Sequence, residues 1–457
     1  MNKRSVGKLC AALMGVSLLI GSVVAHDRHH GKRHRLPPRN LILIIGDGMD
    51  DQQITIARNY LVGAFGRLNL DRYPTRGTVQ VLTSEEEAPH SVAYVADSAN
   101  GASSLAAGII TSTGRISTTV GDDRDAPSIF ELAKAAGYRT GVVTTSAVTD
   151  ATPAAFVAHV ASRSCQGPVD TGACGVDLKA NGGPGSIAEQ IAEGNVDVVM
   201  GGGAAQFNQS IGGGRTVLQL AQDNGFQLVN TPATLDAFDG HRMLGLFSAS
   251  HMPVKLLGAA GARLTFDATN NPIFPAPINC ARNSVYTNGT MPALIDMVDK
   301  AIEVLSKDNR RGFVLVVESS SIDKQAHARN PCGHIGELEQ LDEVAGLVRD
   351  VADDHLGTLV LVTADHGQSA QLLPETFILT PPAGAPAFAS LGYVARVNTL
   401  EGVVMRIGYA TSNAPIEEHT GVQVPVMAYR RLPYDLKPYM VQPELFSVMK
   451  DHLNIRN

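Results

Sequence analysis

Ser98 lies in the small-residue stretch Val95-Ala96-Asp97-Ser98-Ala99-Asn100-Gly101-Ala102, directly after an aspartate. A serine hydroxyl is a weak nucleophile until a base or a metal ion activates it. Read alone, Asp97-Ser98 is equally well the start of a capped helix. Groups able to activate a serine are scattered over the rest of the chain. Asp323 and His327 stand four residues apart, so one helical turn sets a carboxylate and an imidazole on one face; that donor pair suits zinc. Asp365-His366 follows an apolar run, where a strand end can aim both side chains at one ion. Glu418-His419 precedes another apolar run, and His419 would add a third nitrogen. Asp150 and Thr152 flank Ala151 before Pro153. They read as a helix start with proline in its first turn, or as hard oxygen ligands for magnesium. Arg163 is either a surface residue or a fork that grips two phosphate oxygens.

These clusters share a position relative to the predicted strands. Apolar residues 40–45 lead to Asp47, 140–145 to Asp150, 312–317 to Glu318 and 358–362 to Asp365. A fifth run, 196–200, ends in Gly201-Gly202-Gly203. Helical periodicity is expected over 128–136, 186–193, 216–224, 291–307, 335–353 and 443–453. Unbroken apolar strands alternating with helices predict an α/β fold: a large, mostly parallel central β-sheet with helices on both faces. Such sheets bind ligands outside the carboxyl ends of their strands. The active site is expected there, where residues distant in sequence can meet. Residues 370–415 lose the pattern and gain proline, glycine and alanine, which predicts an excursion from the sheet within one catalytic domain spanning 40–457.

The 457-residue chain has no tryptophan and no internal repeat. Residues 1–25 read as a secretory signal peptide: a basic start with Lys3, Arg4 and Lys8, an apolar run 9–24, and small residues before a cut after Ala25. Losing those three cations takes the formal charge from -7 to -10. So acidic a chain is a poor candidate for nucleic-acid binding, and no stable membrane anchor is expected after cleavage. The protein is therefore expected in the periplasm or secreted. Residues 26–39 form a polar, basic, His/Arg/Pro-rich segment, expected to be flexible. Cys165, Cys174, Cys280 and Cys332 remain after cleavage, an even number that suggests two disulfides. Three pairings are open.

Taken in order, Gly46-Asp47-Gly48-Met49, Asp97-Ser98-Ala99, Asp150-Ala-Thr152-Pro, Glu318 through His327, Thr363-Ala-Asp365-His366-Gly and Glu418-His419-Thr-Gly strongly resemble alkaline phosphatase, particularly its bacterial periplasmic form. The resemblance runs from Asn40 to the end of the chain. It implies a metal-dependent phosphomonoesterase that passes through a phosphoserine, with two Zn²⁺ and one Mg²⁺ per chain. Asp323, His327 and His419 would hold one zinc; Asp47, Asp365 and His366 would hold the other, with Ser98 as its reaction-side ligand. Asp47 would also bridge to magnesium held by Asp150, Thr152 and Glu318. Arg163 would clamp phosphate with Asp97 orienting it, and Lys324 would reach phosphate through water. The resemblance also implies Cys165–Cys174 and Cys280–Cys332 disulfides, a homodimer, and small-molecule phosphate monoesters as substrates.

Four positions depart from the family pattern. Asp50 adds a carboxylate beside the bridging aspartate, Asn100-Gly101 follows the serine, and Ala326 stands beside His327 where a polar residue is common. Two other readings compete. A phosphodiesterase or sulfatase of the same superfamily would use threonine or a modified residue in place of Ser98. A non-catalytic metal- or phosphate-binding relative would be expected to have lost ligands that are all present here.

Overall fold

The computed structural model describes residues 39–269, 272–375, 392–409, 411–430 and 436–456. The expected signal peptide, all but the last residue of the basic segment, and part of the 370–415 excursion lie outside them. Strand formation follows the apolar runs. β1 (Asn40–Gly46), β3 (Arg139–Ala147), β4 (Val198–Gly202), β7 (Phe313–Ser319) and β8 (Thr358–Ala364) coincide with the five predicted strands. Every residue of β1, β7 and β8 is buried, as a strand covered on both faces requires.

Five shorter strands complete the sheet: β2 (Thr75–Gln80), β5 (Gln227–Val229), β6 (Met243–Leu246), β9 (Val424–Tyr429) and β10 (Tyr439–Val441). The order is β10-β2-β9-β8-β1-β7-β3-β4-β6-β5. Only β9 runs against the others in this sheet, pairing antiparallel with β8 on one side and β2 on the other. β1 sits at the centre, in parallel register with β7 and β8: Ile45 lies opposite Glu318 and Thr363, and Gly46 opposite Ser319 and Ala364. That register brings the ends of three strands, and so Asp47, Glu318 and Asp365, to one level.

The helices that carry the polar clusters begin at this edge. α2 (Ser98–Ala107) opens on a capping box: the Asp97 carboxylate accepts from the Asn100 N–H and the Asn100 side chain accepts from the Asp97 N–H. α3 (Ala151–Ala155) has Asp150 as its N-cap. α4 (Ser321–His327) follows β7 by a single residue and carries Asp323, Lys324 and His327. α5 (Pro331–Asp354) starts four residues before the predicted 335–353, because Asn330 caps it and Pro331 occupies its first turn. α5 packs on one face of the sheet together with the helix Leu294–Ser306, while Ile129–Ala135 and Pro443–Leu453 pack with α2 elsewhere. Ala370–Leu373, Tyr393–Asn398 and Val404–Tyr409 join Ala262–Arg263 in a separate four-stranded sheet. Cys165 is bonded to Cys174 and Cys280 to Cys332.

Candidate active site

Ser98 is the first residue of α2, and its hydroxyl is buried at the carboxyl edge of β1 and β8. Its Oγ lies 3.0 Å from His366 Nε2 and 3.3 Å from Asp47 Oδ1. The His366 ring is fixed from its other side, where Nδ1–H donates to the Gly367 carbonyl at 3.2 Å. Nε2 therefore carries a bare lone pair. It faces Asp47 Oδ1 and Asp365 Oδ2, each at 3.4 Å. Asp365 Oδ1 accepts from the Gly48 and His366 N–H groups, whereas Oδ2 is buried without a hydrogen-bond partner. Three acceptors converging in a buried pocket repel one another unless a cation lies among them. Burial, and then the neighbouring charges Asp323 and Asp47 respectively, push the Asp47 and Asp365 carboxyls up from the usual range.

A second cluster repeats the arrangement. His327 Nδ1–H donates to the Glu417 carbonyl, and His419 Nδ1–H donates to the Ala96 carbonyl at 2.8 Å. Both Nε2 atoms are thus bare. They face each other at 2.9 Å and lie 3.2 and 3.3 Å from Asp323 Oδ1. Carbonyl acceptors that fix imidazoles in this way are the usual outer shell of metal-binding histidines. Asp47-Asp365-His366 and Asp323-His327-His419 each offer three ligand atoms within 4.8 Å of one another. The His366 and His419 rings stack at 3.7 Å between centroids, so the two clusters are adjacent.

Two further carboxylates, Asp150 and Glu318, lie close enough to Asp47 for their charges to act on it or be acted on by it. Thr152 Oγ1 is buried without a partner. Glu318 is buried among hydroxyls: Thr144 donates to its Oε2, and Ser146 Oγ donates to the same oxygen at 3.1 Å. Burial, then Asp47, pushes the Glu318 carboxyl up to about 7. Burial also opposes charge on Asp150, but Lys324 and Arg163 outweigh it and hold that carboxyl well below the usual range. The Lys324 ammonium lies 2.8 Å from Asp150 Oδ2 and 3.7 Å from Asp47 Oδ2. Arg163 is held from two directions, Nη1 to Asp97 Oδ2 at 3.1 Å and Nη2 to Asp150 Oδ1 at 3.2 Å. A cleft of about 540 Å³ opens over these groups, with Asp97, Ser98, Arg163, Lys324 and His327 in its walls.

Eleven of the thirteen residues singled out above form two imidazole–carboxylate clusters, a set of oxygen donors and a cationic wall; the other two attach to these, Ser98 Oγ to His366 and Asp47 and Asp97 to Arg163. Several neighbours carried no sequence signal. Glu417 is fully buried, bonds Arg329 Nε at 2.6 Å and anchors the loop whose carbonyl orients His327. Gln368 Nε2 donates to Asp323 Oδ1 at 2.5 Å. Asp50 does not join the clusters. Its Oδ1 caps α1 (Asp51–Leu61) by accepting from Gln52 and Gln53 N–H, and its Oδ2 accepts from Gln368 N–H. Gly101 has a steric reason: a Cβ there would stand 2.5 Å from the Asp365 carbonyl oxygen. Gly101→Ala is expected to push Asp365 out of register, with overpacking of about 1–3 kcal/mol. Bound metal should fall and turnover drop roughly tenfold, as read by metal analysis and initial rates on the same sample.

A nine-to-one parallel sheet carrying a serine, two cation-demanding clusters and a held arginine at its carboxyl edge defines a metal-dependent α/β hydrolase acting on an anion. Residues 38–388 match the family model described as Alkaline phosphatase. The chain is 41% identical over 433 residues to the streptomycin-6-phosphate phosphatase of Streptomyces griseus, covering 92% of this chain and 91% of that protein. It is 40% identical over 432 residues to the alkaline phosphatase of Escherichia coli K12, covering 92% and 87%. Among solved structures, the alkaline phosphatase of Thermus thermophilus shares the fold with a TM-score of 0.67 at 20% identity, over 95% of this chain and 96% of that one. The chain belongs to the alkaline phosphatase family and is a phosphomonoesterase.

Proposed function

We propose that this chain hydrolyses phosphate monoesters by two displacements, with Ser98 as the nucleophile. Ser98 Oγ forms a bond to phosphorus as the ester P–O bond breaks and the alcohol leaves; water then releases phosphate and restores the hydroxyl. The observation that carries this reading is the seating of Ser98 Oγ between His366 Nε2 and Asp47 Oδ1, inside a cluster whose three ligand atoms are spaced to hold a cation. The orphaned Asp365 Oδ2 and Thr152 Oγ1 support metal at both Asp47-containing sites. The donor sets suit zinc with Asp47, Asp365 and His366, zinc with Asp323, His327 and His419, and magnesium with Asp47, Asp150, Thr152 and Glu318. Cations bound there lower the pKa of coordinated hydroxyl groups and neutralise charge on the phosphoryl group.

The other side chains bind and orient. Arg163 presents a planar fork to two phosphoryl oxygens, and Asp97 and Asp150 stop it from swinging away. Lys324, with its positive charge sustained by Asp150, adds a second cation to that wall. Two disulfides support an exported protein, and we read it as periplasmic or secreted. Among the described residues no helix is long and apolar enough to cross a membrane. The family resemblance supports a homodimer. Initial rates on a matched monoester and diester, with metal content measured on the same sample, test the reading. The monoester should be favoured by at least about a hundredfold, with close to two zinc and one magnesium per chain; equal rates on both esters would reject it.

A further inference from the structure

We propose that His251 is a phosphate-binding residue whose Nε2–H donates to an oxyanion oxygen of the phosphoryl group, or of product phosphate, held in the cleft. This deepens the reading of the site given above and rests on it.

His251 lies in the cleft wall with Ser98, Asp150, Arg163 and Lys324. Its Nδ1 accepts from the Ala147 N–H, the last residue of β3, at 3.1 Å. A neutral imidazole that accepts at Nδ1 carries its proton at Nε2. Among the described residues no group pairs with that Nε2–H, and the side chain is 40% exposed. The ring is therefore anchored on one edge and offers a donor on the other. It also shares Asp150 with the two cations of the phosphate wall: His251 Nδ1 lies 3.8 Å from Asp150 Oδ2, Lys324 Nζ 2.8 Å from the same oxygen, and Arg163 Nη2 3.2 Å from Oδ1. His251 thus shares the cleft wall with Ser98 and both of those cations, where its free donor would meet the phosphoryl group that every monoester presents.

The loop that presents His251 is built for rigidity. The Gly203, Ala204 and Ala205 N–H groups donate to the carbonyls of Ser250, Ser248 and Ala249, at 2.9, 3.0 and 3.0 Å. Met252 N–H donates to the Thr145 carbonyl at 2.9 Å. The Gly201-Gly202-Gly203 run makes this docking possible. A Cβ on Gly202 would stand 1.7 Å from the Ser250 carbonyl oxygen, and Gly203 has φ +97°. A glycine run at a strand end thus seats a loop whose one imidazole opens into the active-site cleft. Preorganised donors of this kind bind a developing charge without the cost of ordering.

Inhibition by inorganic phosphate, and KM and kcat for two monoesters with different alcohols, test the assignment in wild type, H251A and H251Q. In H251A the phosphate Ki and both KM values should rise about tenfold, the loss expected for one hydrogen bond to a charged group. H251Q keeps an acceptor for Ala147 N–H and a free donor, and should recover most of that affinity. An unmoved Ki in H251A overturns the proposal, as does a rise confined to one of the two esters. Should H251A fail to fold, the histidine Nε2–H resonance that H251Q deletes decides the matter in wild type: it moves on adding phosphate if the proposal holds and stays in place if it is wrong. Trapping of phosphoserine in wild type is run alongside. Its absence would sink the Ser98 reading, whereas trapped phosphoserine with an unmoved Ki sinks only the role of His251.

Discussion

Ser98→Ala is expected to lower monoester turnover by about a thousandfold or more, with the fold unchanged. Loss of a covalent nucleophile removes a reaction path instead of weakening a contact, which is why such losses are large and do not sum with those of neighbouring groups. The fold should survive because the serine contributes no cap. Asp97 and Asn100 close the start of α2 between them, and alanine suits a first-turn position. The variant should still bind phosphate, since Arg163 is held by Asp97 and Asp150 and not by Ser98. Turnover within tenfold of wild type would end the nucleophile assignment. An unchanged phosphate dissociation constant, read by direct binding, beside abolished turnover would show that binding and attack reside in different groups.

Removal of metal by a chelator is expected to have a comparable effect, with activity falling about a thousandfold and returning on addition of zinc with magnesium. Asp47, Glu318, Asp323 and Asp365 are all buried at one sheet edge, with Lys324 and Arg163 the nearest cations. Burial raises the cost of each uncompensated charge by several kcal/mol. Cations that bind only the folded chain also stabilise it, by about 2.7 kcal/mol at a hundredfold excess over their dissociation constant. The stripped protein should therefore melt earlier as well as lose activity. Full turnover in protein shown to be metal-free would reject the account of both clusters. Stripped protein that stays inactive after zinc and magnesium are restored would reject the assigned metals.

The central sheet was legible because its strands are buried on both faces and so read as continuous apolar runs. Residues 40–45 and 358–362 carry that pattern without interruption. β2, in which only Val79 is buried, and the three-residue strands β5 and β10 do not. α1 is absent from the predicted helices for a different reason: its N-cap, Asp50, stands beside Asp47 and reads in sequence as a further carboxylate of the site. The candidate ligand clusters were legible through the family resemblance that their residues carry in order, with spacing alone marking only Asp323 and His327, and the parallel register of β1 with β7 and β8 accounts for the meeting of Asp47, Glu318 and Asp365. The groups that orient them were not. Glu417 acts through a backbone carbonyl and Gln368 across 45 residues of sequence, and neither kind of contact leaves a local pattern. His251 belongs to the same class, since only the docking of its loop on Gly202 and Gly203 brings it to the cleft.

The most direct test of the central claim is an acid quench of the metal-loaded wild-type enzyme turning over a monoester labelled in its phosphoryl group, followed by mapping of the label. The account predicts phosphate on one peptide, esterified to Ser98, and none on Ser98→Ala. Label on any other residue, or unlabelled protein during steady turnover at a pH where dephosphorylation is slow, would contradict it.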